Sequence, residues 1–274
     1  MSGFSADWLS LRAPFDTAAR SSTLASTFAR LLPPGPRVVD LGAGTGAGRR
    51  ALDPQLRGRA HWTLIDADGA LLGQALADRG CGRSIVQARR RSLSVDLADL
   101  FRAADGVTAF AFLDLVSAGW VARLAAALAA ARLPFYAPLV VDGRVDWSPG
   151  DADDGSVGRL FAAHQRRHKG FGQALGPVAP VQAASAFRRR GFEVRSVASD
   201  WVVPGDARAM LAALIAGAAA AASEQDPSAA RMVQAWAVRR QATLRDGALS
   251  VRVGHRDILA WPARIRECGR RVSR

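Results

Sequence analysis

Residues 38–46 read Val-Val-Asp-Leu-Gly-Ala-Gly-Thr-Gly, an apolar run that carries one acid and breaks into a glycine-rich turn. Val38, Val39 and Leu41 suit a strand buried in a parallel sheet. Gly42, Gly44 and Gly46 let the backbone turn sharply and approach a ligand where a Cβ would collide. Open α/β sheets bind ligands outside the C-terminal ends of their strands, and Asp40, two positions before the first glycine, is expected to bring its carboxylate to that edge. The stretch therefore implies a doubly wound α/β fold and a nucleotide-like cofactor.

Two cofactors compete for such a turn. Gly42-x-Gly44-x-x-Ala47 also matches the dinucleotide fingerprint. A pyrophosphate is poorly served by a neighbouring carboxylate, whereas the ammonium and sulfonium of S-adenosylmethionine are cations, so Asp40 favours the latter. A second strand over residues 61–68 carries Asp66 near its end, placed to accept both ribose hydroxyls of an adenosine. Both cofactors need that acid, so Asp66 supports adenosine without choosing between them.

At these residues the chain resembles the class I S-adenosylmethionine-dependent methyltransferases. Residues 38–46 look like their first motif and 64–68 like their second. Ser-Val-Asp-Leu-Ala-Asp-Leu-Phe at 94–101 looks like the third, and Ala-Phe-Ala-Phe-Leu-Asp-Leu-Val-Ser at 109–117 like the fourth. The likeness is good over residues 37–147 and holds only in outline beyond. It implies a Rossmann-like sheet, S-adenosylmethionine as cofactor, and a cofactor site made by Asp40, Gly42, Ala43, Gly44, Gly46, Asp66 and Ala67. It adds Asp96 with Leu97, the acid hydrogen-bonding the adenine amino group, and Asp114 at the end of the fourth strand. The Asn-Pro-Pro-Tyr-type signature of base-amine methylases is absent, and Leu113-Asp-Leu-Val116 stands in its place.

The order of elements agrees with a mainly parallel, seven-stranded sheet with helices on both faces. Residues 7–32 read as helical, 71–79 as a crossover helix and 84–95 as the region of a third strand. Residues 106–115 read as strand four, 135–141 as strand five, 193–203 as strand six and 249–260 as the last. The expected organisation is a helical cap over 1–36 and a methyltransferase domain over 37–262. Helical insertions at about 148–180 and 204–248 would build a substrate pocket over the sheet's C-terminal edge, and a basic tail covers 263–274.

Composition limits the alternatives. Cys81 and Cys268 are the two cysteines, too few for a metal cluster and suited to a reducing cytoplasm. A net charge of +13 raises the possibility of nucleic acid, but of the 37 basic residues only Lys169 is a lysine, and the arginines are scattered without interleaved aromatics. A small-molecule substrate is therefore expected, with an RNA methyltransferase of the same fold or a non-catalytic cofactor-binding protein as alternatives.

The densest remaining chemistry is His-Gln-Arg-Arg-His-Lys-Gly-Phe-Gly at 164–172. Lys169, His164 and Gln165 read as a clamp for a carboxylate or phosphate, with Gly170 and Gly172 allowing a lid. The bland alternative is a solvated basic loop. His164 and His168 would share a helix face, yet no third ligand is evident, and no metal is expected. His164 and Asp114 are the candidate bases. Ser117 and Trp120 follow Asp114 as candidate pocket residues, Trp120 with a core role as the competing reading. Arg12, Asp16 and Arg20 share one face of the first helix, either as a surface ion pair or with Arg20 reaching the methionyl carboxylate. His255 and Asp257, in the last strand, read as structural, with lining of the active site as the competing reading.

Overall fold

The computed structural model describes residues 5–78, 84–94 and 97–263. Asp96, Cys81, Cys268 and the tail from 264 onward lie outside the described residues.

Two helices, α1 (Ala6–Ala19) and α2 (Ser22–Leu31), precede the sheet, their first turns capped by the side chains of Ser5 and Ser21. The strands β1 (Arg37–Leu41), β2 (His61–Asp66), β3 (Ile85–Arg90), β4 (Gly106–Thr108) and β5 (Phe135–Ser148) lie parallel in the order β3-β2-β1-β4-β5. The crossovers carry α3 (Ala47–Leu52), α4 (Gly69–Ala77) and α5 (Ala118–Ala131). Beyond β5 come α6 (Asp154–Gln165), α7 (Ala179–Arg188), β6 (Phe192–Ala198), β7 (Trp201–Val203), α8 (Arg208–Gln225), α9 (Ala230–Arg245) and β8 (Ser250–Pro262). β8 runs antiparallel between β5 and β6, and also pairs with β7.

Among the described residues the sheet thus has eight strands rather than seven. The expected sixth strand, 193–203, is split. Ala198 faces Arg256 and Trp201 faces Val253 in one continuous register, but between them the Asp200 carboxylate takes the His255 N–H, interrupting the ladder. Strand four is shorter than expected, because Ala111 adopts a positive φ of 46° and the chain then tightens into a helical turn over Leu113–Leu115. β5 is longer than expected, since residues 142–148 continue as a ribbon with β8.

Alternation along β1 divides the core. Val39 and Leu41 pack with Trp120, Leu124 and Leu128 of α5 and with Ala183 and Phe187 of α7. Val38 faces the other way, toward Phe28 of α2, Leu52 of α3 and Leu72 and Ala75 of α4. A third cluster joins Trp201 and Val251 to Leu211, Ile215, Val233 and Trp236 of the helical additions. Arg240, itself buried, fixes that addition by its ion pair with Asp154, the same carboxylate that accepts the Trp236 indole N–H. Among the described residues no helix is long and apolar enough to cross a membrane.

Candidate active site

The glycine turn forms as its residue types demand. Gly42, Gly44 and Gly46 have φ of 67°, 51° and 80°, where an L side chain is strained. A Cβ on Gly42 would also lie 2.5 Å from the Phe112 ring. Asp66, at the end of β2, ties this turn to the next loop: its Oδ2 accepts the Gly44 N–H at 2.8 Å and its Oδ1 the Asp68 N–H at 2.9 Å. Asp68 then caps α4 by accepting from the N–H groups of Ala70 and Leu71.

Above these residues lies a cavity of about 1200 Å³. Its floor is made by Gly42, Ala43, Gly44 and Thr45 together with Asp66, Ala67 and Asp68. The wall on one side is α1, through Leu9, Arg12, Ala13, Asp16, Thr17 and Arg20. Phe110, Phe112, Leu115 and Leu139 form an apolar wall, and Lys169, Gly170 and Phe171 close over it. Gly170 and Gly172 flank Phe171 with φ of 94° and 91°. The Phe171 ring meets Phe112 and Trp120 edge to face at 5.7 and 6.0 Å between centroids.

Of the residues singled out from sequence, Gly42, Ala43, Gly44, Asp66, Ala67, Arg20 and Lys169 line this cavity. Lys169 has no carboxylate within ion-pair distance among the described residues, so its ammonium is free for an anion. Arg20 ends α1 with its guanidinium 5.9 Å from the Phe110 ring centroid. Burial lowers its pKa, an effect opposed by the charges of Asp16 and Asp257.

Asp40 is placed differently from the expectation. It lies on the opposite side of β1 from Val39 and Leu41, is wholly buried, and is not part of the cavity wall. Its Oδ1 accepts the Thr108 hydroxyl at 2.6 Å, while its Oδ2 has no hydrogen-bond partner and rests where a Cβ on Gly48 would come within 2.6 Å. Burial pushes its pKa up to about 7, against the lowering effect of Thr108. Gly46 caps α3 and sits against Ala75, and Leu97 is a core residue; neither lines the cavity.

Both candidate bases are also set back. His164, in the last turn of α6, contacts Glu224 of α8 at 3.2 Å, and Arg167 holds the other oxygen of that carboxylate. α6 ends at Gln165, so His168 leaves the helix and its Nδ1 accepts the Gly170 N–H. The shared helical face expected for the two histidines does not form. Asp114 lies in the turn Leu113–Leu115 and does not line the cavity; its Oδ1 is buried and unpartnered, and burial raises its pKa to about 6. Ser117 caps α5 by accepting the Trp120 N–H, and Trp120 is core, its indole N–H on the Leu93 carbonyl. Gln165 packs beside Gly176 rather than facing the cavity. Among the described residues no group of three or more metal-ligating side chains is assembled.

Arg12 and Asp16 depart from the surface pairing expected of them. Both are buried and both line the cavity. Arg12 Nε and Nη2 donate to Asp16 at 3.0 and 3.1 Å, and Asp16 Oδ1 also accepts the Trp201 indole N–H at 3.0 Å. Their i,i+4 spacing was legible, but not the packing of that helix face against the inserted strand β7. His255, 4.5 Å from the Trp201 ring, is held neutral by burial with its pKa lowered to about 4, and Asp257 accepts from Ser21 N, Tyr136 Oη and Leu139 N. Both are buried and neither lines the cavity.

No protein-family model matches the sequence, and no curated protein matches it. Solved structures do share the fold. A cyclopropane-fatty-acyl-phospholipid synthase-like protein from Lactobacillus casei superimposes with a TM-score of 0.55 at 19% identity, over 94% of this chain and 95% of that one. A Bacillus halodurans protein named as a methyltransferase gives a TM-score of 0.50 at 14% identity, over 88% of this chain and 98% of that one. The chain has the Rossmann-like fold of the class I methyltransferases.

Proposed function

We propose that the protein is a cytoplasmic, metal-independent methyltransferase that uses S-adenosylmethionine and acts on a small, anionic metabolite. The observation that carries this reading is the joint floor of the cavity, where Asp66 braces the turn at Gly44 while facing the same space. A strained glycine turn beside an acid at the end of the next strand fits an adenosine whose ribose sits over Asp66. The methyltransferase name of the Bacillus halodurans protein agrees with it.

When bound, S-adenosylmethionine supplies a methyl group already activated by its sulfonium. The chain's own task is then to bind, orient and exclude water. Gly42 to Thr45 bring backbone against the ligand, and Asp66 addresses the ribose. Arg20 is placed on the α1 wall, where it suits the carboxylate of the methionyl part. Phe171, set between two glycines and packed on Phe112 and Trp120, covers the acceptor end. Lys169 beside it gives that end a positive charge, which favours an acid over an amine as acceptor.

Methyl incorporation from labelled cofactor, measured with metabolite extracts and with RNA, tests the proposal. Label in a small molecule, with Lys169→Ala raising KM and leaving cofactor affinity unchanged, supports it. Tight RNA binding that falls steeply with salt, together with label in RNA, would replace it with the nucleic-acid reading.

A further inference from the structure

The acids that line the cavity already serve as hydrogen-bond acceptors within the protein. Among the described residues its walls carry no histidine, cysteine or tyrosine. The carboxylates that line it are Asp16, Asp66 and Asp68, and each already accepts hydrogen bonds from the protein. Asp16 takes both donors of Arg12 and the Trp201 indole. Asp66 accepts two backbone N–H groups with its two oxygens, and Asp68 caps α4. The carboxylates with a buried, unpartnered oxygen, Asp40 and Asp114, do not line the cavity, and neither does His164, which is tied to Glu224. Lys169 has only protons to give.

An acceptor that must lose a proton, such as an alcohol, a phenol or a protonated amine, finds no histidine, cysteine or tyrosine here among the described residues, only carboxylates that already hold donors of the protein. An amine would also meet the charges of Lys169 and Arg20. A carboxylic acid is different, because with a pKa near 4 it enters fully ionised at neutral pH and brings its own nucleophilic lone pair. It also suits the Lys169 cation and the apolar surface of Phe112, Leu115, Leu139 and Phe171, which line the same cavity.

Resting on the proposed methyl transfer, we infer that the acceptor atom is a carboxylate oxygen of an organic acid with an apolar body, and that the product is its methyl ester. The step balances without a base. A carboxylate lone pair forms the O–CH3 bond as the S–CH3 bond breaks, and the electron pair of that bond stays on sulfur, leaving a neutral thioether and a neutral ester. No proton moves.

The test pairs a binding and a product measurement. With S-adenosylhomocysteine bound, calorimetry compares benzoate, cinnamate and octanoate with the amines and alcohols of the same carbon skeleton. The carboxylates should bind, and Lys169→Ala should weaken them by about 10- to 150-fold, the range for a charge-assisted hydrogen bond. The folding of that variant is checked by its unchanged affinity for S-adenosylhomocysteine. With methyl-labelled cofactor and metabolite extract, mild alkali should release the incorporated label as volatile methanol. Alkali-stable label, or carboxylates that bind no better than their amine and alcohol counterparts, overturns the inference. Failure of S-adenosylhomocysteine itself to bind would instead contradict the methyltransferase reading beneath it.

Discussion

The Oδ2 of Asp66 accepts the backbone N–H of Gly44 at 2.8 Å, so the acid that ends β2 holds in place the turn that ends β1. Removing it acts twice, once on the ligand and once on the shape of its floor. Charge-assisted hydrogen bonds contribute about 1.5–3 kcal/mol. Asp66→Ala should therefore weaken binding of S-adenosylhomocysteine by roughly 10- to 150-fold, measured by calorimetry. An affinity within twofold of wild type would remove Asp66 from the site.

Gly42 makes a packing claim. Its φ of 67° and the 2.5 Å approach a Cβ would make to Phe112 both penalise a side chain. Gly42→Ala should cost about 1–3 kcal/mol of stability, the range for a residue held in a sparsely populated backbone region. Adding Phe112→Leu should recover part of that loss by relieving the contact while leaving the backbone strain. Equal stabilities of the wild type and Gly42→Ala in urea denaturation would contradict the geometry.

Asp40 carries a pH signature. Its folded pKa, about 7, lies above the value of a free carboxyl, so the folded state holds the proton more tightly than the unfolded one. Its contribution to stability is then fully present below about pH 4 and is lost as pH rises through about 7. Asp40→Asn should accordingly gain stability relative to wild type between pH 5 and pH 8. A difference between the two proteins that does not change with pH, followed by thermal unfolding, would count against this environment.

His164 and the metal question can be settled together. With His164 on Glu224 and away from the cavity, His164→Asn should leave methyl transfer within about twofold of wild type, as expected for a substitution outside the reacting groups. Activity should also survive extensive chelation. A large loss of kcat in His164→Asn, or a loss on chelation restored by one divalent ion, would return the residue to the active site.

Much of this was legible because it depends on local chemistry. The buried run at 38–41 and the glycines after it have few other uses, and Asp66 and Lys169 stand at positions a strand end and a glycine-rich loop bring to one edge. What stayed hidden depends on long-range packing. The side of β1 on which Asp40 falls is set by pleat and by Thr108 from β4, 68 residues further along the chain. The Arg12–Asp16 pair looks like a surface feature until β7 brings Trp201 onto it. His164 read as a base because its partner, Glu224, comes from a helix added much later in the chain.

The central claim is that the cavity over Gly42–Thr45 and Asp66 holds S-adenosylmethionine. Calorimetric titration of the full chain with S-adenosylhomocysteine tests it most directly, with NAD as the comparison ligand. One binding event per chain is expected, greatly weakened in Asp66→Ala, with no comparable binding of NAD. No heat of binding with S-adenosylhomocysteine, or tight binding of NAD in its place, would contradict it.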